Sequence, residues 1–214
     1  MTWSENTPRI GVDESGKGDY FGPLVIAACF VGPEHLAALE GVRDSKTVTD
    51  LNAGKLAANI RAACPHTIIT VLPPKYNELY EKIRNLNRLL EWGHAHAIAD
   101  LLAKDLGPEL AISDQFANPA GLRKRLAQKA CEIPLVSVPR AESDLAVAAA
   151  SILARAEFLR RLKQLGEEIG VSLPKGAGPP VDAAARQLVR EQGREALPKV
   201  AKMHFKTTQK ILGG

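Results

Sequence analysis

Residues 9–31 read Arg-Ile-Gly-Val-Asp-Glu-Ser-Gly-Lys-Gly-Asp-Tyr-Phe-Gly-Pro-Leu-Val-Ile-Ala-Ala-Cys-Phe-Val. Two short apolar runs rich in Ile and Val, Arg9 to Val12 and Pro23 to Val31, bracket the glycine-rich segment Ser15 to Gly22. The pattern predicts two strands joined by a special loop, with Asp13 and Glu14 at the end of the first. Adjacent strand residues face opposite sides, so both carboxylates serve one site only if the glycines that follow let the backbone bend sharply. A phosphate-cradling P-loop is nearly matched from Gly11 to Lys17, but Gly18 stands where that loop needs Ser or Thr. The segment also runs into a strand rather than a helix, and two carboxylates would repel bare phosphate, so the P-loop reading is set aside. Turn-forming surface residues are the bland alternative for the acidic pair.

Working outward, Leu51 to Ala63 has helical spacing, Thr67 to Leu72 alternates like a strand, and Pro73-Pro74 stops it before a helix from about Tyr76. Asn85 to Leu106 reads as a long helix, and Leu110 to Ser113 as a brief buried strand ending at Asp114. Ala120 to Cys131 is a helix, Ile133 to Val138 a strand, and Ser143 to Leu165 another long helix. Val181 to Gly193 continues as a helix beyond Pro179-Pro180. Strands alternating with helices after an initial hairpin imply an α/β fold, a mixed five-stranded sheet flanked by helices. The 214 residues suit a single domain: residues 1–8 form a tail, and about 170–214 a helical C-terminal extension.

Hydrophobic residues at 45% and charged ones at 24% are ordinary for a globular chain with a real core. The formal net charge of +4 permits a polyanionic partner without requiring one. Cys29, Cys64 and Cys131 are odd in number and far apart, which suits neither a disulfide framework nor a zinc site; a reduced, cytoplasmic chain is expected. No basic and apolar leader opens the sequence and no apolar run approaches membrane length, so neither secretion nor a membrane partner is expected. Aromatics at 5% offer no evident stacking platform for single strands.

Further carboxylates fall at element ends: Asp114 after Leu-Ala-Ile-Ser, and Glu142 and Asp144 at the start of the alanine-rich helix. Each of the latter two has an equal claim to be a helix cap. Three or four converging carboxylates cannot all stay ionised without cations, but they can hold two Mg²⁺ or Mn²⁺ ions. His94 and His96, two apart on a helix, point to different faces and cannot share an ion.

Asp13-Glu-Ser-Gly-Lys-Gly-Asp-Tyr-Phe-Gly-Pro23 closely resembles the opening motif of ribonuclease HIII; the sister family, ribonuclease HII, resembles it less after Gly18. Asp44-Ser-Lys46, Asn85-Leu-Asn87 with Gly93-His-Ala95, Asp114-Gln-Phe116, Ala141-Glu-Ser143 with Ala148-Ala-Ala-Ser-Ile-Leu-Ala-Arg155, and His204-Phe-Lys-Thr-Thr208 extend the resemblance over essentially the whole chain. It implies an RNase H-like fold and hydrolysis of the RNA strand of RNA/DNA hybrids, leaving 5′-phosphate and 3′-hydroxyl ends. Asp13, Glu14 and Asp114 become metal ligands, with Glu142 preferred over Asp144 as the fourth catalytic acid. Gly16, Lys17 and Gly18 match the loop that feels the RNA strand, where bare peptide groups can meet a 2′-hydroxyl. Lys46 looks like a phosphate contact, and Ser151 and Arg155 lie on the helix that starts beside the site. Lys202, His204 and Lys206 are read as a grip on the duplex or a solvated tail.

Proteins of that family usually carry an N-terminal substrate-binding domain, for which the residues before Arg9 leave no room; weak, salt-sensitive binding is the expectation. Cleavage at single ribonucleotides in DNA, as in ribonuclease HII, a non-catalytic nucleic-acid-binding module, and a DNA-cutting nuclease of the same fold are the rival readings. A monomer without an obligatory protein partner is expected.

Overall fold

The computed structural model describes residues 3–42, 48–114, 116 and 118–213. Strands β1 (Arg9–Ser15), β2 (Leu24–Val31), β3 (His66–Val71), β4 (Leu110–Asp114) and β5 (Leu135–Val138) form one mixed sheet in the order β3-β2-β1-β4-β5. Every residue of β2 is buried, as a central strand covered on both faces requires. β1 runs parallel to β4, which runs parallel to β5. A parallel neighbour needs a long crossover, and here nearly a hundred residues separate β1 from β4.

The helices are α1 (Asp50–Ala63), α2 (Pro73–Ile83), α3 (Leu86–Leu102), α4 (Pro119–Gln128), α5 (Leu145–Ile169), α6 (Pro179–Gln192), α7 (Leu197–Val200) and α8 (Lys206–Leu212). Their starts are chemically marked. The Thr49 side chain accepts from Asn52 N to cap α1, and the Asn118 side chain accepts from Ala120 N ahead of Pro119 in α4. Pro73 and Pro74 open α2 instead of preceding it, because proline lacks only an N–H that the first turn leaves unpaired anyway. Lys206 opens α8, within the C-terminal extension expected to be helical.

The chain divides into two compact units. One comprises Met1–Glu14, Ile26–Ile69 and Asn87–Ala156, and the other Ser15–Val25, Thr70–Leu86 and Glu157–Gly214. The first holds most of the sheet. Part of its core is Leu110 and Ile112 of β4 with Ala141 and Val147, against which Trp3, Val136 and Val138 pack. Gly11 is there because α5 lies hard against β1: a Cβ at this position would sit 2.1 Å from the carbonyl carbon of Ala146. The second holds the glycine-rich loop, α2 and α6 to α8.

Candidate active site

Strand register brings the first two acids together. The β1–β4 pairing runs from Arg9↔Leu110 to Val12↔Ser113, so Asp13 and Asp114 are the next residues of two neighbouring parallel strands. Alternation assigns their faces. Gly11 points at α5, hence so does Asp13, whose side chain hydrogen-bonds with Ser151 of α5. Asp114 shares that side: its Oδ1 accepts from Ala141 N at 3.3 Å, in the turn Ala141–Ser143 that precedes α5 and carries Glu142. Glu142 is half-buried in that turn.

Glu14 and Ser113 belong to the opposite face, covered by α3. Glu14 Oε2 lies 2.9 Å from His94 Nε2, and His94 Nδ1 lies 3.2 Å from Ser113 Oγ. Asp13 and Glu14 therefore flank the end of β1 rather than projecting from one face, yet they remain electrostatic neighbours. Burial first, and then the Glu14 charge, push the Asp13 carboxyl from its ordinary 3.8 up to about 7. Hydrogen bonds with Ser151 and the Glu14 backbone, and the proximity of His94, oppose that rise without cancelling it. The sharp bend expected after Glu14 comes at Gly16, whose φ of 89° is a left-handed conformation; a Cβ there would meet the Pro23 carbonyl oxygen at 2.2 Å.

The structure separates Asp144 from this group. Its Oδ1 accepts from Ala146 N and Val147 N as the cap of α5, while its Oδ2 accepts from Trp3 Nε1 at 3.0 Å and Arg9 Nε at 2.7 Å. The Arg9–Asp144 pair is buried, and Arg9 also donates to the carbonyls of Glu5 and Thr7. Arg155 Nη2 donates to Asp50 Oδ1 at 2.6 Å, and Ser151 hydrogen-bonds with Asp13. Lys17 and Gly18 are exposed. Lys46, with Asp44 and Ser45, lies outside the described residues. His94 is wholly buried, whereas His96 turns to the Trp92 carbonyl, so the pair does diverge as its spacing dictates.

One expectation needs correction. Lys202 is neither a solvated tail nor a surface grip: it is fully buried, and its Nζ donates to the carbonyls of Asp19 at 2.8 Å and Gly22 at 2.7 Å. The reason is tertiary: the Ala201 bridge to Phe21 draws this segment onto the glycine-rich loop. Burial lowers the Lys202 ammonium to about 7, opposed by the Asp19 carboxylate. Tyr80 and His204 stack with centroids 3.9 Å apart, against the fully buried Tyr76. Tyr76 and Tyr80 share a helix face at i, i+4, but nothing in the sequence announces that His204 joins them.

The donors gathered at the strand ends are hard carboxylate oxygens, the type that Mg²⁺ and Mn²⁺ select. Asp13, raised by burial beside a second carboxylate, is the kind of group that a cation would relieve. Among the described residues, no three His, Cys, Asp or Glu side chains already close around one point as an ion requires.

A family model described as Ribonuclease HII matches residues 10–208. The chain belongs to the ribonuclease HII family. Ribonuclease HIII of Chlamydia pneumoniae is 49% identical to it, over 97% of this chain and 71% of that protein. Ribonuclease HIII of Protochlamydia amoebophila is 45% identical, over 97% and 69%. The crystal structure of Bst-RNase HIII in complex with Mn²⁺ matches with a TM-score of 0.90 at 36% identity, covering 97% of this chain and 70% of that one. The resemblance to ribonuclease HIII is thereby established, with the RNase H-like fold it implied, and this member of the ribonuclease HII family is a ribonuclease H. Among the described residues no helix is long and apolar enough to cross a membrane.

Proposed function

We propose that this chain hydrolyses the RNA strand of RNA/DNA hybrids with two divalent ions, leaving 5′-phosphate and 3′-hydroxyl ends. The observation that carries the reading is that Asp13 and Asp114 each follow the last paired residues of two neighbouring parallel strands, on the face where the Glu142 turn also begins. Asp13, Glu14 and Asp114 are the proposed ligands of Mg²⁺ or Mn²⁺, with Glu142 as the fourth acid, because the oxygens of Asp144 already serve Arg9, Trp3 and the α5 N-terminus. When bound, such ions supply a water nucleophile of lowered pKa and neutralise charge on the leaving oxygen.

The protein's own part is positional. Ser151 orients Asp13, the Ala141 amide orients Asp114, and His94 orients Glu14. Lys17 and Gly18, exposed in the loop that follows β1, are suited to meet the RNA backbone and its 2′-hydroxyl. We read the chain as one catalytic domain: both compact units are assembled from three separate segments, so neither is a continuous piece of sequence.

The test is to incubate end-labelled RNA/DNA hybrid, duplex DNA, duplex RNA and DNA with one embedded ribonucleotide, each with Mg²⁺, Mn²⁺ or chelator. Metal-dependent cleavage of the hybrid, with ends that ligase and phosphatase treatments identify as 5′-phosphate, is expected. Cleavage confined to the embedded ribonucleotide would replace the substrate reading, and cleavage in chelator would remove the ions.

A further inference from the structure

His94 is buried, yet it is far from inert. It sits on the face of α3 that packs toward the sheet, among Leu90, Ala97, Ile98 and Leu101, all buried. A histidine in such a setting needs both ring nitrogens satisfied. Both are used across the two acid-bearing strands: Nε2 on Glu14 of β1, Nδ1 on Ser113 of β4. The Phe116 ring meets the imidazole edge-on at a centroid distance of 4.8 Å, just beyond Asp114. The Ser113 hydroxyl in turn donates to the Asp114 carbonyl at 3.0 Å, so the imidazole links the Glu14 carboxylate to a serine already tied to the residue at the end of β4.

We propose that His94 is a positioning residue for the acidic site, holding the Glu14 carboxylate at the end of β1 and tying it to the strand that carries Asp114. The inference rests on the reading of Glu14 as a metal ligand. Glu14 has a backbone that directs it to the α3 face, away from Asp13 and Asp114. A flexible side chain in that position has several rotamers available, and only a fixed hydrogen bond selects one. Partners of this kind behind ligating carboxylates typically change metal affinity about 10- to 100-fold when removed.

The geometry supplies a discriminating pair of variants. In His94→Gln the amide nitrogen falls near the position of Nε2 and can still donate to Glu14, whereas in His94→Asn the shorter amide reaches only the Nδ1 position. Binding of Mn²⁺ alone is measured by calorimetry or by the electron paramagnetic resonance of free Mn²⁺, alongside kcat and KM on hybrid and thermal unfolding. The expected result is that His94→Asn weakens Mn²⁺ binding about 10-fold or more and lowers kcat with little change in KM for the hybrid. His94→Gln should recover most of both. Equal behaviour of the two amides, or Mn²⁺ affinity of His94→Asn within about two-fold of wild type, overturns the proposal.

Should His94→Asn fail to fold, Ser113→Ala removes the second anchor while leaving the ring, and a loss of Mn²⁺ affinity of about three-fold or more is expected; none overturns the idea. Glu14→Gln separates the two readings. If it leaves Mn²⁺ binding unchanged, Glu14 is not a ligand and the metal reading itself falls. If it weakens binding while His94→Asn does not, only the role of His94 is lost.

Discussion

Replacing Asp13 with Asn should stabilise the metal-free protein in alkaline solution while ending catalysis. The distance from 3.8 to about 7 for this carboxyl corresponds to ~4 kcal/mol of preference for the neutral acid in the fold. Its sign follows from proton counting. Between those two pH values the folded chain binds more protons than the unfolded one, so this residue's contribution to stability is complete below pH 3.8 and is lost as pH rises through about 7. Above that, wild type carries a buried charge that Asn does not. Asn keeps an oxygen for the Glu14 amide, which donates to Asp13 at 2.8 Å. After allowance for local relaxation, a net gain of ~2 kcal/mol is expected, or ~4–8 °C in Tm for a chain of this size. Thermal unfolding in chelator at about pH 5 and about pH 8.5 measures it, and the advantage of Asn should be clearly larger at the higher value, because the penalty on wild type keeps growing until pH passes about 7. Adding MnCl₂ at the higher pH should reverse the order, because only wild type gains from binding. An Asn variant that is no more stable than wild type in chelator at pH 8.5, or an advantage independent of pH, would refute the electrostatic account of Asp13.

Asp114→Asn should reduce hybrid cleavage by about a thousand-fold or more with an unchanged melting curve, since the amide oxygen can still accept from Ala141 N while the charge that metal binding requires is gone. Asp144→Ala should do the reverse. It strands Arg9 as a buried unpaired charge and uncaps α5, costing ~3–5 kcal/mol in denaturant unfolding, with kcat per folded molecule little changed. Gly16→Ala forces a side chain into a left-handed backbone against Pro23 and should destabilise by ~1–3 kcal/mol. Gly18→Ala, whose new methyl meets nothing within 4 Å, should leave the melting temperature alone and raise KM for the hybrid several-fold if this loop feels the RNA.

The sheet and its helices were legible because their signals are local. Ile and Val runs mark β1, β2 and β4, and long amphipathic repeats mark α3 and α5, so the boundaries agree within a few residues. The misjudged proline pair before α2 is also a local matter, of two meanings for one residue type. Asp13, Glu14 and Asp114 stood out for their place at the ends of apolar runs. What the sequence could not yield is register across long separations. Lys202 looks like any tail lysine until the Phe21–Ala201 bridge closes over it. Asp144 looks like an active-site acid until Arg9 and Trp3 claim it from 135 and 141 residues away.

The same register explains why two adjacent carboxylates play different parts. A strand must send Asp13 and Glu14 to opposite faces, and each face supplies a different environment. Toward α5, Asp13 finds Ser151 and the neighbouring Asp114 strand end, and burial with the nearby Glu14 charge raises its carboxyl to about 7. Toward α3, Glu14 finds the imidazole of His94, already fixed by Ser113. One carboxylate is thus left electrostatically unsatisfied and the other is anchored. If the proposed ligand roles hold, the raised carboxyl of Asp13 would favour a divalent ion and the Glu14 carboxylate, fixed by His94, would offer it a defined second ligand.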